Sequence, residues 1–353
     1  MGATIRRYDI DWIRVIAIGL LLVYHVAIAF QPWGVMLAFP TSKEPWPGLW
    51  VPMTMLNIWR IPLLFFVSGM GVYFALQSRT WKQLITERAA RIFVPFVFGI
   101  FVIVPIHMYL WRYYFNMQLI YTADPGHLWF LGNIFVYVLL LSPLFYYLNS
   151  NENNLVRKIF SHPASLLIVV AAFFLEQIII KPVPYEMYAK TLHGFVLGLL
   201  AFFFGFCFVH AGTPLLKGRW LFLALAIGLF VARLNGFQQL LVVESQCWIF
   251  SVFAFGYMYL NRGSAALTYL SQAAYPVYIL HMIFLYLGSL MIMPLSIPVQ
   301  LKFVLLLIFT LFGCLVTYEY VVRRIKWIRP LFGLRFTRTS GHSTDSRLAT
   351  SES

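Results

Sequence analysis

Charge is what this chain most lacks. Only 11% of its 353 residues are charged, and the 12 Asp and Glu are outnumbered by 26 Lys and Arg. So few charges cannot coat a soluble domain of this length, which excludes an ordinary soluble enzyme or binding module. Cysteine is nearly absent as well. Cys207, Cys247 and Cys314 lie in apolar segments at unrelated spacings, so neither a disulfide framework nor a metal site can be read from them, and no metal is expected. An inverted repeat of the kind common in transporters is not visible either. What fills the chain is apolar: 61% hydrophobic residues and a mean hydropathy of +0.79 mark a polytopic membrane protein.

The apolar runs predict an all-α fold of about ten transmembrane helices, near residues 10–30, 54–76, 92–111, 127–148, 164–180, 191–210, 219–235, 239–260, 274–293 and 301–322. Starting from an inside N-terminus, only Lys43, Arg112, Lys181, Lys190, Arg233 and Lys302 fall on the outer side, and Arg14 and Arg60 lie within or at the edge of spans. The remaining Lys and Arg are inside. This positive-inside pattern makes both termini cytoplasmic and assigns the net charge of +14 to topology and lipid headgroups, not to nucleic acid. The seventh span is the weakest, because Arg233, Asn235 and Gly236 interrupt it, and a re-entrant turn there would invert the labels that follow. Residues 1–336 read as one transmembrane domain and 337–353 as a polar, disordered cytoplasmic tail. Arg6, Arg7, the run Val15–Tyr24 and Ala27-Ile28-Ala29 imitate a secretory signal peptide. Asp9, Asp11 and Arg14 beside that core, and an apolar run continuing past the supposed cut site, argue that the segment is retained.

The first span carries the most telling pair. Arg14 and His25 are eleven steps apart, which returns an α-helix to nearly the same face and separates them by about 16 Å along its axis. Asp11, one turn from Arg14, joins the same stripe. Asp11 and Arg14 alone also read as an interfacial ion pair. An imidazole deep in a membrane span reads as function, since ionisable groups there are costly and usually face a cavity. His25 is therefore the candidate general base, able to take a proton from a hydroxyl near neutral pH.

Other groups surround this pair. Arg88 and Arg91, with Glu87 and Lys82 nearby, are neighbours on one helix at the inner side, and guanidinium pairs suit phosphate. Positive-inside anchoring would also explain them. His281, just past Pro276 in SQAAYPVYILH, is placed near the inner surface, as are Glu319 and Arg323 in TYEYVVRR. The last two also read as a structural ion pair. His127, where the fourth span begins on the outer side, has a depth comparable to His25 and suits an outward-facing acceptor site. His107 and His193 have no neighbouring motif and read as structural. Glu176 and Glu244 are embedded acids without an evident partner. They sustain a rival reading as a proton-coupled transporter or flippase of a glycan or lipid-linked glycan.

These residues fall in motifs that resemble the integral-membrane acyltransferase-3 family from the first span to the last. The matching pieces are the Arg14-to-His25 spacing, FFVSGM at Phe65–Met70, ERAARIFVP at Glu87–Pro95, HLWFL at His127–Leu131 and YPVYILH at Tyr275–His281. Each is weak alone, but five in order are specific. YDIDWIRVIAIGLLLVYH, WRIPLLFFVSG and TYEYVVRRIKWIRPLFGLR look closest to the branch containing glucan-biosynthesis protein C. The resemblance implies transfer of an acetyl or succinyl group from cytoplasmic acyl-CoA (acetyl-CoA or succinyl-CoA) to a hydroxyl of an envelope or periplasmic glycan, in a bacterial inner membrane. It carries essential roles over to Arg14 and His25, and roles to Arg88, Arg91 and Ser68. The extracytoplasmic hydrolase-like domain of fused members does not follow the membrane part. The expected arrangement gathers Arg14, Arg88, Arg91, Arg323, Glu319, His281 and Ser68 about the donor and sets His25, helped by His127, at the acceptor. An acyl-histidine intermediate is a covalent variant of that step. Membrane lipids are the expected surroundings; the acceptor's identity and a homodimer are both left open.

Overall fold

The computed structural model describes residues 7–151 and 154–336; the expected disordered tail at 337–353 lies outside the described residues. Among those described the fold is entirely helical. In chain order the helices are α1 (Tyr8–Ile28), α2 (Trp50–Leu76), α3 (Trp81–Tyr114), α4 (Gly126–Ser150), the short α5 (Leu155–Phe160), α6 (Ser165–Ile180), α7 (Leu192–Ala211), α8 (Arg219–Leu234), α9 (Leu241–Tyr259), α10 (Ala265–Ile292) and α11 (Val299–Val322). Eight of them, all but α5, α6 and α8, are long and apolar enough to cross a membrane. The 21 residues of α1 make about 32 Å, the thickness of a bilayer core. α6 and α8 have 16 residues each, about 24 Å, so the fifth and seventh expected spans are helices that fall short of that length. α8 ends where the sequence breaks it, at Asn235 and at Gly236 with its positive φ of 94°.

Two helices begin earlier than hydropathy suggests, and both starts are capped. Thr80 accepts from the Gln83 amide while the Gln83 side chain accepts from the Thr80 amide, starting α3 at Trp81. Ser264 accepts from the Leu267 amide and starts α10 at Ala265. The first turns of α10 carry Thr268, Ser271 and Gln272, of which Thr268 and Gln272 are exposed, so hydropathy alone does not extend the span over them. α3 also carries two π-turns, Ala89–Phe93 and Gly99–Ile103, each followed at its second residue by a proline, Pro95 and Pro105. Such widened turns accommodate the missing proline donors and re-aim neighbouring side chains.

α1 packs against α2, α9, α10 and α11, which leaves Asp11 and Arg14 of its ionisable stripe partly exposed. The periphery is apolar: Leu167, Leu175 and Ile179 of α6, Trp220 and Leu221 of α8, and Ile308 and Phe312 of α11 face outward, as a lipid-facing belt requires. α2 and α7 approach most closely, through glycine. A Cβ on Gly69 would meet the Phe202 carbonyl oxygen at 1.9 Å, and one on Gly205 would meet that of Phe66 at 2.0 Å. Gly69→Ala is therefore expected to cost about 1–3 kcal/mol of overpacking and to lower the melting temperature in detergent. Gly19→Ala, at a site with no atom within 4 Å, should leave it unchanged. Equal melting of both variants would contradict this packing.

Candidate functional site

One cavity of about 550 Å³ runs between α1, α2, α3, α4 and α10. Its lining joins the predicted groups: Asp11, Arg14, Arg88 and Arg91 at one end, Ser68 along the wall, and His25 and His127 at the other. Apolar residues such as Ile18, Leu21, Leu64 and Ile134 fill the stretch between. The eleven-residue step of α1 thus reaches from the arginine end to the histidine end.

At the arginine end the cations are held in graded fashion. Arg14 pairs with Asp11 at 2.9 Å. Arg88 donates to the Gly71 carbonyl of α2 at 3.1 Å. Arg91 donates to Glu87 at 3.1 Å and to the Gly333 carbonyl at 3.3 Å. Glu87 also takes Arg79 at 2.6 Å and lies 3.7 Å from Arg335, so one carboxylate faces three guanidinium groups. The local balance is cationic and suits a polyanionic ligand. Gly333 and Leu334 belong to a returning C-terminal segment that completes the wall. The sequence assigns them no site role: this stretch reads there as positive-inside charge and as part of the family resemblance.

At the histidine end four imidazoles assemble. His25 Nδ1 and His281 Nε2 are 2.7 Å apart, their rings edge to edge with centroids at 5.0 Å and planes within 5°. His281 Nδ1 lies 2.6 Å from the Tyr278 carbonyl oxygen. His127 meets His281 edge-on at 5.0 Å and donates from Nε2 to the Ile279 carbonyl at 3.2 Å. The Tyr278 hydroxyl donates to the His127 carbonyl at 2.6 Å. His107 stands behind, 5.5 Å from the His127 ring and 5.1 Å from that of Tyr286. The turn into His127 is fixed by Asp124, which accepts from the Gly126 amide and from Lys190. Burial raises the Asp124 pKa, but those two donors outweigh it and hold the carboxyl below its usual range. Among the described residues no group of three or more His, Cys, Asp or Glu is arranged to hold a metal ion.

Some predicted residues sit elsewhere. His281 lies away from Arg14, Arg88 and Arg91 and against His25, because α10 starts at Ala265. Sixteen residues of helix put it about 24 Å from that start, not the two turns that a start at 274 implies. Glu319 and Arg323 pair with each other at 2.7 Å on α11, outside the cavity lining. Glu176 and Glu244 do have partners: His193 at 2.7 Å, and Arg233, which grips both Glu244 oxygens at 2.8 and 3.0 Å. Neither acid lines the cavity, so the observation that favoured a transporter has a structural explanation.

Other groups escaped sequence reasoning. Thr268, Ser271, Gln272 and Tyr275 line the cavity from α10, at the three- and four-residue steps that could have revealed them. His107 belongs to the imidazole cluster. Arg60 is wholly buried on α2, its guanidinium 3.9 Å over the Tyr24 ring and its nitrogens without a hydrogen-bond partner among the described residues.

Compared with protein-family models, residues 7–319 match one described as an acyltransferase domain. No curated protein and no solved structure matches the chain.

Proposed function

The chain belongs to the acyltransferase-domain family matched over residues 7–319, and on that premise we propose a membrane O-acyltransferase. Its donor is cytoplasmic acyl-CoA, acetyl or succinyl, and its acceptor is a hydroxyl of an envelope or periplasmic glycan. The membrane is the bacterial inner membrane, with both termini cytoplasmic as the distribution of Lys and Arg favours. The motifs shared with the branch of glucan-biosynthesis protein C favour succinyl among the acyl groups.

The observation that carries this reading is one cavity with guanidinium groups at one end and imidazoles at the other. Arg14, Arg88 and Arg91 hold the phosphates of coenzyme A, with Ser68 on the wall beside the pantetheine arm. That arm is thin, and the apolar stretch of the cavity suits it. The acyl thioester then reaches His25. The ring takes the proton of the acceptor hydroxyl as its oxygen attacks the thioester carbonyl carbon. The carbon–sulfur bond breaks, and the proton passes to the departing sulfur. His127, on the same wall, shapes the acceptor end of the cavity, with its Nε2 bonded to the Ile279 carbonyl.

Donor binding is the first test. A ligand at 100 times its dissociation constant stabilises the native state by about 2.7 kcal/mol, so acetyl- or succinyl-CoA should raise the melting temperature of the purified protein. The favoured donor should give the larger rise at equal concentration. No shift with either donor, together with substrate-dependent proton flux in liposomes, would replace this reading with the transporter.

A further inference from the structure

The base proposed above is only useful if its lone pair points into the cavity, and the hydrogen bonds behind His25 decide this. A carbonyl oxygen accepts only. At 2.6 Å from the Tyr278 carbonyl, His281 Nδ1 must therefore carry a hydrogen and donate it. In a neutral ring the other nitrogen, Nε2, is then an acceptor. It lies 2.7 Å from His25 Nδ1, so His25 Nδ1 must supply the hydrogen between them. His25 Nε2 is left with a lone pair, on a ring that lines the cavity. A second proton on His281 would reverse this order. That would charge a ring with no exposed surface, on neither side of which a carboxylate is bonded among the described residues, and with the Arg60 cation already buried in α2.

From this chain of contacts we infer that His281 is the positioning residue that fixes His25 in the tautomer bearing its hydrogen on Nδ1, with Nε2 as the base. Its role resembles that of the carboxylate in a catalytic triad, which holds an imidazole in one tautomer and orientation. Here a neutral imidazole anchored to a helix carbonyl does the work. The two rings lie edge to edge within 5° of one plane, so the bond between them also fixes the plane of His25. The Tyr278 carbonyl that anchors His281 belongs to the residue whose hydroxyl holds the His127 backbone, so both imidazoles lining the cavity are set from one turn of α10. Without His281, His25 relaxes toward the tautomer that free histidine favours, with hydrogen on Nε2. Such a ring can donate to the acceptor hydroxyl but cannot take its proton.

The inference rests on the acyltransferase reading for its catalytic consequence and on hydrogen bonding alone for the tautomer, so two readouts separate them. In His281→Leu the acceptor for His25 Nδ1–H is gone, and kcat should fall about 10- to 100-fold, the usual scale for losing a group that orients a catalytic ligand or base. KM for acyl-CoA and the thermal shift it causes should stay as in the unaltered protein. His281→Gln, which offers a carbonyl oxygen near the Nε2 position, should recover most of the loss. Independently, ¹⁵N spectra of histidine-labelled protein should show His25 with Nδ1 protonated and Nε2 bare, and should show that state lost in His281→Leu. Unchanged kcat in His281→Leu, with His25→Ala inactive, would overturn the positioning role and leave the acyltransferase intact. A His25 protonated on Nε2 in the unaltered protein would overturn the tautomer itself. Should no donor support transfer at all, the acyltransferase reading falls while the spectra still decide the tautomer.

Discussion

His25→Ala is expected to lower acyl transfer by about 100- to 10,000-fold, the range that a positioned general base contributes. The size follows from where the ring stands. It lines the cavity at the far end of the α1 stripe, held from behind by His281, and no other imidazole in the cavity wall is backed in the same way. His127 lines the same wall but donates from Nε2 to the Ile279 carbonyl, and its Nδ1 is buried, so it is not arranged to substitute. The fold should survive, because truncation widens an existing cavity and breaks no helix cap or ion pair. Unchanged elution from gel filtration in detergent, with the acyl-CoA thermal shift retained, would establish that. Full activity in a folded His25→Ala protein would rule out the general base.

The second large effect is expected at the opposite end and in a different kinetic constant. Arg88→Gln and Arg91→Gln should each raise KM for acyl-CoA about 10- to 100-fold, because a hydrogen bond to a charged group is worth roughly 1.5–3 kcal/mol and each 1.4 kcal/mol is tenfold. kcat at saturating donor should change little, since neither side chain reaches the imidazoles. The two should differ in one respect. Arg91 also bridges Glu87 and the Gly333 carbonyl, so its loss should loosen the returning C-terminal segment and lower the melting temperature. Among the described residues Arg88 bonds only to the Gly71 carbonyl, and its loss should not. Raising the ionic strength should weaken donor binding in the unaltered protein more than in either variant. A fall in kcat with KM unmoved would mean that these arginines serve the chemistry and not the donor.

Much of this was legible in the sequence, for identifiable reasons. A helix returns to the same face after eleven residues whatever surrounds it, so Arg14 and His25 had to share a wall. Embedded ionisable groups had to be enclosed, and Ser68, Arg88, Arg91 and His127 line the same cavity. The illegible parts depend on capping and on long-range return. Hydropathy could not see that Ser264 starts α10 nine residues before the apolar core, which moves His281 from the arginines to the side of His25. Nor could it pair Glu176 with His193 or Arg233 with Glu244, since those pairs close across loops whose shape lies in the backbone. The segment carrying Gly333 reads as one more basic flank, and its bond with Arg91 and its place in the cavity lining show that it walls the site.

The proposed reaction path crosses the membrane, with the donor at the arginines and the acceptor at the histidines. Proteoliposomes of uniformly oriented protein test it most directly, with radiolabelled acyl-CoA outside, at the cytoplasmic face, and a glucan acceptor sealed inside. Label should appear in the enclosed glucan and be lost in His25→Ala. Label appearing only when donor and acceptor share one side would contradict it.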